Sequence, residues 1–220
     1  MKQMTGKQSI AFEEPVYIAS GASLVGEKEK EGPLGDYFDH VLTDPMCGGK
    51  SWEEGESQMQ LAVAKLAIQK ANLKAEQIRM IFAGDLLAQS IASCFGLVEL
   101  NRPIYGLFGA CSTMGEALSL GAMAVAGGYG DWVLSLTSSH FGSAEKEFRF
   151  PLLMEIRDRC RHPGPSQAAG PVCLEKKGKG KDHGSHHWKD CGLRLEGFPE
   201  YGSLHGSGGM RYHLPESHRL

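Results

Sequence analysis

The segment Thr113–Gly128 carries a single charge, Glu116. A helix of that composition is apolar on every side, and such a helix belongs in a protein interior rather than on its surface. The chain therefore has to supply a layered structure around it. The run before it, Pro103–Gly109, reads as a short buried strand. Between the two, in Leu107-Phe-Gly-Ala-Cys-Ser-Thr-Met-Gly-Glu116, stands Cys111. A thiol at a helix N-terminus faces unpaired backbone N–H groups and the positive end of the helix dipole. Both favour a thiolate, or an anion bound beside it. The alternative is a buried structural thiol, the commoner fate of a free cysteine.

The first 150 residues alternate strand and helix signals. Phe12–Ala19 is strand-like and leads into a Gly-rich, charged loop, Gly21–Gly35. Ser51-Trp-Glu-Glu54 is a capping box, with Glu54 three residues after the Ser51 cap. The helix it opens runs to about Ala71, buries Leu61, Leu66 and Ile68, and ends near Asn72. Arg79–Gly84 is the next strand, Leu86–Gly96 a helix, and Trp132–Thr137 a further strand. Alternation of this kind implies a largely parallel α/β sheet with right-handed crossovers. Ligands of such sheets gather at the carboxyl ends of the strands. Asp85, Cys111 and Ser138-Ser139-His140 occupy that position on three separate strands.

Bulk properties narrow the function. The net charge of −3 provides no field to attract nucleic acid or an anionic membrane. Ala117–Gly128, the longest apolar stretch, is too short and too Gly-rich to span a bilayer. The opening Met-Lys-Gln-Met-Thr-Gly-Lys-Gln lacks the hydrophobic core of a signal peptide, so synthesis in the cytosol is expected. Six cysteines (Cys47, Cys94, Cys111, Cys160, Cys173, Cys191) form no CxxC pair and are expected to be reduced.

Five collinear blocks carry a resemblance. They are Thr5-Gly-Lys-Gln8, Glu29-Lys-Glu-Gly-Pro-Leu-Gly35, Ala83-Gly-Asp-Leu-Leu87, Leu107-Phe-Gly-Ala-Cys-Ser-Thr113, and Thr137-Ser-Ser-His140 through Glu147-Phe-Arg-Phe-Pro151. Over residues 4–150 they make the chain similar to the stage V sporulation protein AD family, thiolase-fold proteins of spore-forming Firmicutes. The resemblance implies a thiolase-like layered α/β fold, N-terminal half only, over residues 1–150, followed by an irregular tail over residues 151–220. It also implies uptake of dipicolinic acid into the developing spore. The expected partners are dipicolinic acid or calcium dipicolinate and membrane proteins of the same operon, with a possible homodimer and no nucleic acid. The expected location is peripheral, at the forespore inner membrane. No cofactor and no metal centre are expected.

The residue chemistry suits a small planar dianion. The helix start at Ser112-Thr113 offers donors to a carboxylate. His140, if protonated, would add a charge-assisted bond. Asp85 would repel a bare dianion and must orient a donor or meet the calcium-bound form. The expected ligand-binding set is Cys111, Ser112, Asp85, Ser139 and His140. Plainer roles compete: Ser138 and Ser139 as turn caps, His140 as an ordinary hydrogen-bonded loop histidine, Asp85 as a cap of the following helix, and Arg149, a second basic candidate, as a surface residue. The rival function is a thiolase-type acyltransferase with Cys111 as nucleophile. That chemistry requires a histidine base which the family pattern places in a C-terminal Gly-His-Pro. Arg161-His-Pro163 is the nearest text here.

Beyond Phe150 the character changes, and seven of the nine histidines lie there. No apolar period survives for a full element. One nucleotide string encodes Tyr-Gly-Asn-Gln-Arg-Pro, the family-like continuation, in one frame and Met-Glu-Ile-Arg-Asp, the text at 154–158, one base later. A one-base shift likewise turns Lys181–Lys189 into an apolar, strand-like segment, whereas Val172–Gly180 reads correctly as it stands. Two frame slips are therefore expected, near Pro151 and near Lys181. The loose His183, His186, His187, Cys191 spacing matches no zinc pattern. Lys176–Lys181 lacks the closing Lys-Ser/Thr of a phosphate-binding loop.

Overall fold

The computed structural model describes residues 4–5, 7, 9–153, 167–176, 193–195 and 210–212. The chain opens with β1 (Met4–Thr5) and β2 (Ser9–Ile10), followed by β3 (Val16–Gly21), β4 (Leu24–Gly26), the one-turn helix α1 (Glu27–Lys30) and β5 (His40–Leu42). Helix α2 (Trp52–Lys70) leads to β6 (Met80–Gly84), α3 (Ile91–Leu97), β7 (Ile104–Leu107), α4 (Thr113–Ala126), β8 (Trp132–His140) and α5 (Phe141–Leu153). The later strands are β9 (Gln167–Lys176), β10 (Leu193–Leu195) and β11 (Met210–Tyr212). The principal sheet has the order β5-β4-β9-β8-β6-β7, with β3 also paired to β9. Within it β8, β6 and β7 run parallel, as strand–helix alternation requires. A small second sheet has the order β1-β2-β10-β11.

Helix α2 begins and ends for reasons visible in its sequence. The Ser51 hydroxyl accepts from Glu54 N–H at 3.2 Å. The Glu54 carboxylate returns to Lys50 N–H at 2.8 Å, one residue earlier than in the standard box. At the other end Asn72 adopts φ +54°, and Leu73 N–H reaches Ile68 O at 3.0 Å, which closes the helix with asparagine in the place glycine usually takes. Replacing Ser51 by Ala is expected to cost about 1 kcal/mol of stability, read from urea unfolding.

The two faces of the sheet are covered by different helices. Met59, Val63, Ala64 and Ala67 of α2 pack on Ile81, Ala83, Leu134 and Leu136. Ala117, Leu118, Ala122 and Val125 of α4 pack on Phe82, Val133 and Leu174 from the opposite side. This is the period-two alternation of strands β6 and β8 made visible. Helix α4 approaches the sheet closely at Gly121, where an added Cβ would stand 2.7 Å from Ser135 Oγ and 2.8 Å from Leu174 Cδ1. Its other side is not fully covered by the described residues: Met114 and Leu120 are half-buried and Met123 is exposed.

Four sequence expectations need correction. Pro103–Gly109 is not a buried strand: β7 is the last strand of the sheet, and Tyr105 and Phe108 are exposed. The helix expected over Leu86–Gly96 starts only at Ile91, because Gln89 and Ser90 take φ of +62° and +52°. Gly21–Gly35 is not one loop but holds β4 and α1. Finally, residue 150 is not where packing ends. Residues 151–153 continue α5, and β9, expected to be part of an irregular tail, lies in the middle of the sheet with Cys173 and Leu174 fully buried.

Pro171 explains how β9 escapes a reading based on residue type. A proline in a central strand lacks a ladder donor. Its carbonyl accepts from Ala22 N–H at 3.1 Å, so its nitrogen faces the same neighbour. That neighbour is the break between β3, whose pairing ends at Gly21↔Val172, and β4, whose pairing starts at Leu24↔Ala169. The missing N–H falls where no strand is present to accept it.

Candidate functional site

Cys111 lies on a 3-10 turn, Ala110–Ser112, that runs directly into α4. Its side chain is exposed. Ala110, the residue before it, has φ +48°, a left-handed conformation that an alanine adopts at a cost of about 1 kcal/mol. The turn is knitted internally. Ser112 Oγ donates to Gly109 O at 2.7 Å, and Thr113 Oγ1 accepts from Gly109 N–H at 3.2 Å. A Cβ placed on Gly109 would stand 2.9 Å from Glu116 Oε2, so the Glu116 carboxylate folds back over this turn. The positive end of α4 thus already faces an acid of the chain itself. Glu116 was read in the sequence only as the lone charge of its helix.

The other expected site residues divide between the two faces of the sheet. Along β8, Val133 and Ser135 face α4, with Ser135 Oγ donating to Ala117 O at 2.8 Å. By the same alternation half-buried Ser139 belongs to the α4 side, the side of Cys111. Leu134 and Leu136 face α2, and Ser138 and His140 follow them. On β6, Ile81 and Ala83 face α2, and Asp85 follows.

Asp85 and His140 are committed to the protein. Asp85 is buried, with Oδ1 accepting from Leu87 N–H at 2.9 Å. Its Oδ2 accepts from Ser93 N–H at 2.8 Å and Ser93 Oγ–H at 2.7 Å. It shapes the loop into α3, which is the capping alternative rather than a ligand contact. His140 is 1% exposed. Its Nδ1 accepts from Gly142 N–H at 3.1 Å, so Nε2 carries the proton and donates to Pro45 O at 2.8 Å. The ring lies 5.2 Å from that of Trp52. Burial holds its imidazole below the ordinary histidine value, although the Pro45 carbonyl pulls the other way. The expected charge-assisted bond from a protonated His140 is therefore corrected: the ring is buried, neutral and on the α2 side.

Sequence reading missed a buried polar chain beneath these residues. Glu56 and Gln60, on the inward stripe of α2, are 1% and 0% exposed. Glu56 Oε1 accepts from Ser138 Oγ, and Glu56 Oε2 is hydrogen-bonded with Ser143 Oγ, both at 2.6 Å. Gln60 Nε2 donates to Ser138 Oγ at 2.5 Å and Ser93 Oγ at 3.0 Å, and Ser93 passes the chain on to Asp85. The signal was available. Glu56 and Gln60 stand at the i and i+4 spacing of the apolar residues Val63 and Ala67, where polar side chains require partners.

Among the described residues no group of three or more His, Cys, Asp and Glu stands together to hold a metal. Cys173 is a buried thiol that desolvation pushes up to about 11, so it is unreactive at neutral pH. His183, His186, His187, Cys191 and the 177–181 lysines lie outside the described residues, as does the Arg149 side chain. No described helix is long and apolar enough to cross a membrane.

The layered sheet with Cys111 at the head of α4 defines a thiolase-like α/β protein. A solved structure of C143S Xanthomonas campestris OleA with bound lauric acid and lauroyl-CoA shares this fold at a TM-score of 0.51 and 15% identity, over 84% of this chain and 60% of that one. The 3-oxoacyl-[acyl-carrier-protein] synthase III of Aquifex aeolicus VF5 aligns at a TM-score of 0.48 and 17% identity, over 76% and 55%. The chain belongs to the stage V sporulation protein AD family, whose model matches residues 6–194. It is 40% identical over 149 residues to stage V sporulation protein AD of Bacillus subtilis (strain 168), which is 68% of this chain and 44% of that protein's length.

Proposed function

We propose that the chain serves sporulation by binding dipicolinic acid, as its calcium complex, for uptake into the developing spore. The observation that carries the reading is the exposed turn Ala110–Ser112 at the head of α4 in a chain of this family. The Ser112 and Thr113 N–H groups are spent on Gly109 O and Ala110 O, so the attraction for a carboxylate there comes from the positive end of the α4 dipole. Glu116 decides the form of the ligand. A bare dianion would meet its carboxylate at close range, whereas a calcium ion bridges two carboxylates readily. The role first given to Asp85 thus passes to Glu116. Cys111, Ser112 and Ser139 remain as ligand contacts, and Asp85 and His140 act only by holding the strand ends. Membrane proteins of the same operon and a second copy of the chain are proposed partners, at the forespore inner membrane.

Calorimetry tests this, in a version extended to the family's full length. Saturable heat is expected with calcium dipicolinate and not with dipicolinate alone, and Glu116→Gln should remove the calcium dependence. No heat in either mixture sinks the reading. The exposed Cys111 thiol is the one observation on the side of an acyltransferase. His140, buried on the opposite face, is no base for it. If that reading held, Cys111 would become labelled by an acyl-CoA and Cys111→Ser would abolish the label.

A further inference from the structure

The hydroxyl of Ser143, in the first turn of α5, lies 2.6 Å from Glu56 Oε2 and 2.9 Å from His140 O. Its single proton serves one of these acceptors. With an ionised Glu56, one of the two contacts is oxygen against oxygen. With a proton on Glu56 Oε2, the carboxyl donates to Ser143 Oγ and Ser143 donates to His140 O. The hydroxyls and amide hydrogens of the chain are then all placed, and Gln60 Oε1 stays buried without a partner: Ser138 donates to Glu56 Oε1, Gln60 gives one amide hydrogen each to Ser138 and Ser93, and Ser93 donates to Asp85. We propose that Glu56 is a proton-operated latch which, when neutral, ties the end of β8 and the first turn of α5 to α2, and which loosens that junction when it ionises.

The surroundings agree. Burial pushes the Glu56 carboxyl up to about 7, with Asp85 and Glu53 adding to the rise and the Ser138 and Ser143 hydroxyls opposing it. The charged groups acting on it are Asp85 from the end of β6 and Glu53 from α2; α5 carries Lys146 and Glu145 close in sequence to Ser143, and His140 of β8 is neutral. Lys146 is taken up by Glu53 at 2.5 Å, and Glu145 has partners of its own. Helix α3 contributes Ser93 and no charge. The latch therefore sits under the strand end whose other face carries Ser139, and it responds to pH near neutrality whatever binds at Cys111.

The sign follows from proton counting. Glu56 in the folded state binds its proton above the unfolded value, so its contribution is complete below about pH 4.5 and fades as pH rises through about 7. His140 acts oppositely, with stability lost as pH falls below the ordinary histidine value. The two trends overlap, so the test is a difference. Urea unfolding of the full chain and of Glu56→Gln, whose amide donates to Ser143 in the same geometry, is compared from pH 5 to 8. The wild type's folded-to-unfolded ratio should fall on the order of fiftyfold relative to the variant. A flat difference overturns the proposal. Should the variant not fold, carbon-13 glutamate labelling of the wild type decides. One side-chain carboxyl titrating near pH 7 is expected, and none titrating above pH 6 overturns it.

Discussion

A fragment ending at residue 150 is expected not to fold cooperatively. Its removal of β9 leaves β8 without its antiparallel neighbour from Trp132↔Glu175 to His140↔Gln167 and detaches β3 and β4 from the parallel strands. Leu174 alone, fully buried between α4 and the sheet, is worth about 2–3 kcal/mol. Several such side chains and an entire ladder together exceed the roughly 5–15 kcal/mol that holds a domain of this size. Circular dichroism on heating should show a broad, non-cooperative change where the full chain shows a transition. A fragment melting sharply at the full chain's midpoint would mean that β9 is an accessory, and that residues 1–150 do form a unit of their own.

The second large effect is expected at Gly84, the last residue of β6. A side chain there would run into the backbone carbonyl of Leu107 on β7 and meet Thr113 Cγ2 at 2.6 Å. Neither neighbour can yield freely, because Leu107 is part of the sheet and Thr113 holds Gly109 N–H. Gly84→Ala should therefore lose about 3 kcal/mol in urea unfolding and displace the turn that carries Cys111. Gly106, one strand over, is the control. Its added Cβ would come no closer than 3.6 Å to Ser90 Oγ, so Gly106→Ala should change stability by less than about 1 kcal/mol. Equal losses at both positions would show that the clash at Gly84 is relieved by movement of the strands.

Much of this architecture was legible in the residues. The Ser51–Glu54 cap, the Asn72 stop and the junction at Cys111 are local chemistry, and they stand where local chemistry put them. What the sequence concealed is which side of a strand each residue faces. Ser138, Ser139 and His140 are neighbours in the chain, and they read as one cluster. A strand sends alternate residues to opposite faces, so only Ser139 joins Cys111 there. Glu56 and Gln60 went unremarked in the sequence because they are polar, although their spacing placed them inward. Strand β9 was hidden because Gly170-Pro171 is a turn signal everywhere except opposite a gap, and a gap is a property of other strands.

The pairing of Val16 with Lys176 has a consequence for biosynthesis. Strand β3 emerges from the ribosome early, yet its partner is among the last described segments to be made. Until then the edges of β3 and β8 stand open, which invites capture by chaperones or by the same edges of neighbouring nascent chains. Contacts this distant along a polypeptide close slowly. Folding of this protein is thus timed by the arrival of a single late segment, and a change in the reading of the gene upstream of that segment would be felt by every strand translated before it.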